Sequence, residues 1–313
     1  MHLCRALFLV GINFWLIACS KGPEPTPFGG KHLHGVWVRD DSQIWIVGDE
    51  GRILHSKDDG GNWEQQKSGT WNALELIYGD AVDLWTVGVR GTVLHSIDSG
   101  HTWQIQASGT PRALYSLCGN VAHLWAVGRG GTILYSQDGG RRWQQQTSRT
   151  KEALYSVYAT DAKVWVVGDR GTILHSSDWG RNWQARASGV VDCLRCVYNS
   201  GRHLWAAGFG GVILHSADDG EHWQTQDSGT RQSLCSIYSN GTGIWAAGSG
   251  GVVLHSTDDG EHWELQSTGT ARNLQEIRGS GFHLWAVGYA ATILYSADGG
   301  QNWEPKNSRI VLF

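Results

Sequence analysis

Short apolar runs separated by polar turns recur along residues 31–310, and the whole alternation repeats every 40 residues. In the third repeat, Leu114 to Cys118, His123 to Val127, Thr132 to Gln137 and Trp143 to Thr147 are rich in aliphatic, aromatic or β-branched residues. Gly, Asn, Asp and Ser stand between them. Each repeat therefore predicts four short strands, and no stretch offers a helical apolar stripe of ordinary length. A four-stranded sheet is too small to bury its own faces, whereas seven such sheets can stack radially around an axis. The expected fold is all-β, a seven-bladed β-propeller of four-stranded antiparallel blades. Its repeats are 31–70, 71–110, 111–150, 151–190, 191–230, 231–270 and 271–310, forming one domain over 31–313. Repeats and blades should be in phase. Ring closure should then rest on packing between blades seven and one, helped by the apolar tail Ile310 to Phe313, with no shared strand.

The punctuation is as regular as the strands. Ser-x-Asp-x-Gly-x-x-Trp begins at Ser56, Ser96, Ser136, Ser176, Ser216, Ser256 and Ser296, and a second tryptophan recurs from Trp45 to Trp285 at the same step. The motif's aspartates, Asp58 to Asp298, resemble catalytic acids in type, but one in every blade argues for turn architecture. Asp and Ser accept backbone N–H bonds, and Gly supplies a conformation other residues resist. His55, His95, His175, His215 and His255 likewise recur at one strand position and cannot meet at a metal. Fourteen of the 18 tryptophans are periodic and read as core. Trp71 and Trp179 are spare.

Residues 1–30 are different material. Arg5 precedes an apolar run from Ala6 to Ala18, right for a secretory leader and short for a membrane span. The run ends Leu16-Ile17-Ala18-Cys19, which resembles the bacterial lipoprotein signal. That resemblance implies cleavage after residue 18, acylation of Cys19 and, with Ser20 next, export to the outer membrane. Residues 19–30 hold three of the chain's five prolines and form a tether. The expected location is the cell envelope, on a periplasmic or surface face. Four other cysteines remain. Cys235 could bridge to Cys193 or Cys196 of the neighbouring blade, or these and Cys118 could serve as small apolar fillers. No spacing marks a metal site, and nothing marks a cofactor. A formal charge of −4 gives no nucleic-acid footprint.

The string Trp165-Val-Val-Gly-Asp-Arg-Gly-Thr-Ile-Leu-His-Ser-Ser-Asp-Trp-Gly-Arg-Asn-Trp183 and its six relatives resemble the Asp-box, or bacterial-neuraminidase-type, repeats. Within that group the chain looks most like the photosystem II stability and assembly factor family. The resemblance implies a seven-bladed propeller with a non-enzymatic binding role in membrane-complex assembly. Blade seven departs from it with Ala290-Ala291. Asp-box blades also occur in sialidases, so a glycoside hydrolase or a lectin is the alternative. The sialidase Arg-Ile-Pro signature is missing, however, with Arg52-Ile53-Leu54 and Arg309-Ile310-Val311 in its stead. Uninterrupted repeats also leave little loop material for a catalytic pocket, and no catalytic residue is assigned.

The repeats differ most on the face opposite the boxes, in the turns between strands two and three and in the connections from one blade to the next. Blades two to four place Arg90, Arg112, Arg129, Lys151 and Arg170 there. Arg195 starts a nearby strand, Trp71 begins the connection into repeat two, and Phe209 and Tyr289 lie across the ring. A basic sector rimmed by aromatics on an acidic protein suits an acidic peptide or protein surface. The sequence thus reads as a monomeric, lipid-anchored binding scaffold.

Overall fold

The second strand of every repeat is an uninterrupted apolar run ending on glycine, such as Ile44–Gly48, Leu84–Gly88 and Leu124–Gly128. Runs of that kind need cover on both faces. The computed structural model describes residues 31–40, 42–80, 82–120, 122–201, 203–306 and 310–311. In it these strands are buried from end to end, sandwiched between adjacent blades. Each repeat supplies one antiparallel sheet with its four strands in chain order, giving seven blades. Blade three runs Leu114–Gly119, Leu124–Gly128, Thr132–Ser136 and Gln144–Thr147, within a residue or two of the sequence expectation. First strands of neighbouring blades pack on one another all the way round, so they line the axis.

Seven apolar clusters hold the ring, and each spans two blades. The strand-two tryptophans, fully buried in every blade, are their centres. Burying such a ring is worth on the order of 4–6 kcal/mol as an upper bound. The Asp-box tryptophan packs on the preceding blade. Trp143 joins the cluster of Trp85, Trp263 that of Trp205, and Trp63 that of Trp285 in blade seven. Of the box set Trp63 is wholly buried, Trp183 is nearly so, and the other five are partly exposed. The box turn itself is held as its residue types predict. Ser56 Oγ donates to Asp58 Oδ1 at 2.9 Å and accepts the Gly60 N–H at 2.9 Å, while Asp58 Oδ1 also accepts the Asn62 N–H at 2.8 Å. Gly60 has φ +71°, and a β-carbon there would sit 2.4 Å from the Trp285 ring. The Asp-box is therefore a clasp between blades, and its aspartates are occupied by the turn.

Closure differs from the sequence expectation. Ile310–Val311 forms a fifth strand on blade one, parallel to its outermost strand Trp63–Gln66, with Ile310 opposite Trp63 and Val311 opposite Glu64. The outermost strand leaves a row of free backbone groups, and any extended segment can pair there without a side-chain signature. A second device closes the seam near the axis. Ser116, Ser156 and Ser236 each accept through Oγ a backbone N–H of the next blade's first strand, from Val157, Val197 and Ile277. Between blades seven and one this bond is made by Glu276 Oε2 to the Val36 N–H at 2.8 Å.

Candidate functional site

The face opposite the boxes is built by three-residue turns, each with its middle residue in the left-handed region. Those residues are Glu50, Arg90, Gly130, Arg170, Gly210, Gly250 and Ala290, at φ +52° to +68°. Glycine adopts this backbone freely, whereas a side chain adds roughly 1–2 kcal/mol. Arg90 and Arg170 accept that cost and project into solvent. Arg129 is the first residue of its turn and is exposed. Arg112 reaches the same turn from the preceding connection, its Nη1 donating to the Gly130 carbonyl at 2.9 Å. Lys151 is exposed on the next connection, and Arg170 Nε lies 4.0 Å from Glu152. Sequence reasoning missed one member of the group, Arg149. It stands in the Ser-Gly-Thr column, at φ +60°, where blades one, two, four, five and six carry glycine. That break in the column was the available signal. A side chain at this position meets open space, as the emptiness around Gly69 and Gly109 shows. The result is six cations over contiguous blades two to four.

The aromatics expected to rim this sector are not gathered. Trp71 is 83% exposed and Phe209 is 47% exposed, whereas the Tyr289 ring is stacked on His32 at 4.2 Å. Among the described residues no ring contact joins the three. Trp179 is not spare either, since it packs tilted against His123 at 4.0 Å and stacks on Trp125 at 5.9 Å. Arg195 lies near the start of its blade's first strand, as expected, and lines the axis. Its guanidinium lies 4.3 Å over Tyr155, which in turn packs against Tyr115. Burial, together with Asp169 at 3.3 Å, pushes the Tyr155 hydroxyl up to about 12. Cys118, Cys193, Cys196 and Cys235 are free thiols, and burial pushes Cys193 and Cys196 up to about 12, which leaves them poor nucleophiles. Among the described residues no three His, Cys, Asp or Glu side chains gather as a metal site.

The central channel is the feature the sequence hid. Its inner layer holds Trp37, Tyr78, Cys118, Tyr158, Tyr198, Tyr238 and Arg278, one per blade, around a cavity of about 290 Å³. Arg278 Nη2 pairs with Glu276 Oε1 at 2.7 Å, and Nη1 donates to Ser236 Oγ and to the Ile277 carbonyl. Burial raises the Glu276 carboxyl above its ordinary range despite Arg278 and the Val36 N–H. The pair of charges two residues apart in Leu274-Gln-Glu-Ile-Arg278 is the one sequence signal that repeat seven differs there.

The comparisons agree with this architecture. A family model for the DUF6242 beta propeller domain matches residues 117–235, and one for the BNR/Asp-box repeat matches 294–305. No curated protein matches the chain in sequence. Among solved structures, YCF48 from Cyanidioschyzon merolae superposes with a TM-score of 0.70 at 17% identity, covering 87% of this chain and 96% of that one. YCF48 bound to D1 peptide gives 0.70 at 18%, covering 85% and 91%. The GH74 enzyme of Niastella koreensis gives 0.72 at 14%, covering 90% of this chain and 54% of its own.

Proposed function

We propose that this propeller is a protein-binding scaffold that captures an acidic peptide or protein surface on the face opposite its Asp-boxes. The observation that carries the reading is the run of exposed cations at Arg90, Arg112, Arg129, Arg149, Lys151 and Arg170 on adjacent blades of an acidic chain. Exposed like charges held together repel one another and contribute nothing to folding, whereas an anionic surface relieves that repulsion. The similarity to YCF48 bound to D1 peptide supports a peptide-binding use of the same fold. On this reading Cys19 carries the lipid and the tether holds the scaffold at the outer membrane. Both lie outside the described residues.

The test is charge reversal at Arg90, Arg129 and Arg170 together, with binding of a fluorescent Glu/Asp-rich peptide followed by anisotropy at low and physiological salt. Affinity should fall at least about tenfold and the salt dependence should flatten. Thermal stability should move little, because these side chains lie on solvated turns. Unchanged affinity in a folded variant would place the working surface elsewhere. A loss caused instead by Phe282→Ser, at an exposed turn on the box face, would move it to that side.

A further inference from the structure

We propose that the aromatic layer of the central channel binds an organic cation, an alkylammonium group entering from the Asp-box mouth. The argument rests on how the rings lie. Successive blades of a sevenfold ring are rotated by about 51°, so flat side chains laid against the channel wall must meet near that angle. Trp37 and Tyr78 meet at 52°, Tyr158 and Tyr198 at 61°, and Tyr198 and Tyr238 at 64°. Rings set edge-on along the radius would meet at similar angles, but the hydroxyls decide between the two. Tyr198 donates to the Ser239 carbonyl at 3.0 Å and Tyr238 to the Gly279 carbonyl at 2.7 Å, each on the next blade. A ring whose hydroxyl reaches sideways to the neighbouring blade lies along the wall and turns a face to the lumen.

The electron-rich faces of tyrosine and tryptophan attract cations. Neighbouring centroids are 5.2 to 5.8 Å apart, and a seven-membered ring with that spacing has a radius of roughly 6 Å, the reach of a cation–π contact. An ammonium group on the axis, or pressed into the corner of Tyr158, Tyr198 and Tyr238, therefore touches several faces at once. Arg278 in the same layer does not repel it strongly, because Glu276 neutralises it and its Nη donors are engaged within the protein. The turns around this mouth carry Asp40, Asp80 and Asp161, and Arg39, whose guanidinium lies 4.5 Å over Trp45, offsets only part of the charge of Asp40 and Asp80. The entrance favours a cation as well. This site is at the opposite mouth from the basic sector and stands independently of the acidic-partner reading.

Isothermal titration of the mature chain with choline, with its neutral tert-butyl isostere and with a peptide bearing trimethyl-lysine tests the proposal. Choline or the peptide should bind with a Kd on the order of 1 mM or tighter, and the isostere about tenfold or more weakly. The better of the two cations identifies a free small ammonium or a protein side chain as the source. Tyr158→Leu and Tyr198→Leu should each weaken binding about five- to tenfold. Tyr158→Phe keeps the face and removes a hydroxyl with no hydrogen bond among the described residues, so it should bind like the parent. Should Tyr198→Leu fail to fold for want of its bond to Ser239, the Tyr158 pair still decides. Equal affinity for the isostere, an equal loss in Tyr158→Phe, or no saturable binding of either cation at concentrations on the order of 100 mM would overturn the proposal.

Discussion

Gly60→Ala and Gly69→Ala form a matched pair that separates backbone strain from crowding. Both glycines are left-handed, at φ +71° and +74°, so alanine costs each about 1–2 kcal/mol. Their surroundings differ. A β-carbon at Gly69 meets nothing within 4 Å, whereas at Gly60 it would lie 2.4 Å and 2.9 Å from two carbons of the Trp285 indole. That indole is fully buried among residues of blades seven and one, and displacing it adds an overpacking cost of about 1–3 kcal/mol. Gly60→Ala should thus destabilise by about 2–5 kcal/mol and Gly69→Ala by about 1–2 kcal/mol. Urea unfolding followed by tryptophan fluorescence measures both, with the slope checked for unchanged cooperativity. The sequence already contains a partial version of the experiment. The open column admits Arg149 in blade three, while the crowded column is glycine in all seven blades. Equal destabilisation of the two variants would mean that the Asp-box glycine is not held against the preceding blade, and the clasp would be misassigned.

The remaining predictions concern acid, charge and lipid. All seven Asp-box carboxyls sit below the ordinary range, because hydrogen bonds from the turn outweigh the partial desolvation that opposes them. In Asp218 and Asp258 the bonds from His222 and His262 bring the value to about 2. A depressed native pKa means that the unfolded chain binds protons first, so stability is present above pH about 4 and lost as pH falls toward about 2. Tryptophan fluorescence should report acid unfolding in that window, and Asp218→Asn should flatten it; a transition unmoved by such variants would implicate other groups. Glu276→Gln should cost about 2–3 kcal/mol by leaving Arg278 uncompensated, less than for a fully buried pair because Arg278 is partly exposed, and Glu276→Gln with Arg278→Met should recover most of it. A double variant as unstable as the single would show that the pair does not act as a unit. If Cys19 is acylated, a fatty-acid probe should label the chain and Cys19→Ala should abolish labelling; undiminished labelling removes the lipoprotein reading.

The fold was legible because strand propensity, turn chemistry and a fixed period agree in every repeat. What escaped the sequence was whatever depends on neighbours in the ring. Ile310–Val311 pairs through its backbone, which leaves no pattern to read. The Asp-box tryptophan read only as core, and the assembled ring shows that it packs on the preceding blade. The channel was hidden because a strand facing a narrow lumen and a strand facing core carry the same alternation. Arg195, placed from the sequence at the start of a nearby strand, faces Tyr155 of the neighbouring blade only once seven strands enclose an axis.

In a ring of near-identical blades, chemistry that recurs in every blade holds the ring together, and a directional site must come from departures. Departures differ in what they imply. Arg112 and Lys151 occupy ordinary backbone, where any polar residue would serve. Arg90, Arg149 and Arg170 occupy left-handed backbone, at φ +57°, +60° and +55°; blades one, two, four, five and six carry glycine in the Arg149 column, while the Arg90 and Arg170 column holds glycine in three blades and Glu50 and Ala290 in the other two. Each forgoes roughly 1–2 kcal/mol relative to that glycine. Three such costs fall on adjacent blades, with the same charge, on one face, and no folded-state contact among the described residues compensates Arg90 or Arg149. Backbone strain tolerated for an exposed cation is the pattern expected where the cation is retained for a partner, and it supports reading blades two to four as the working side of the ring.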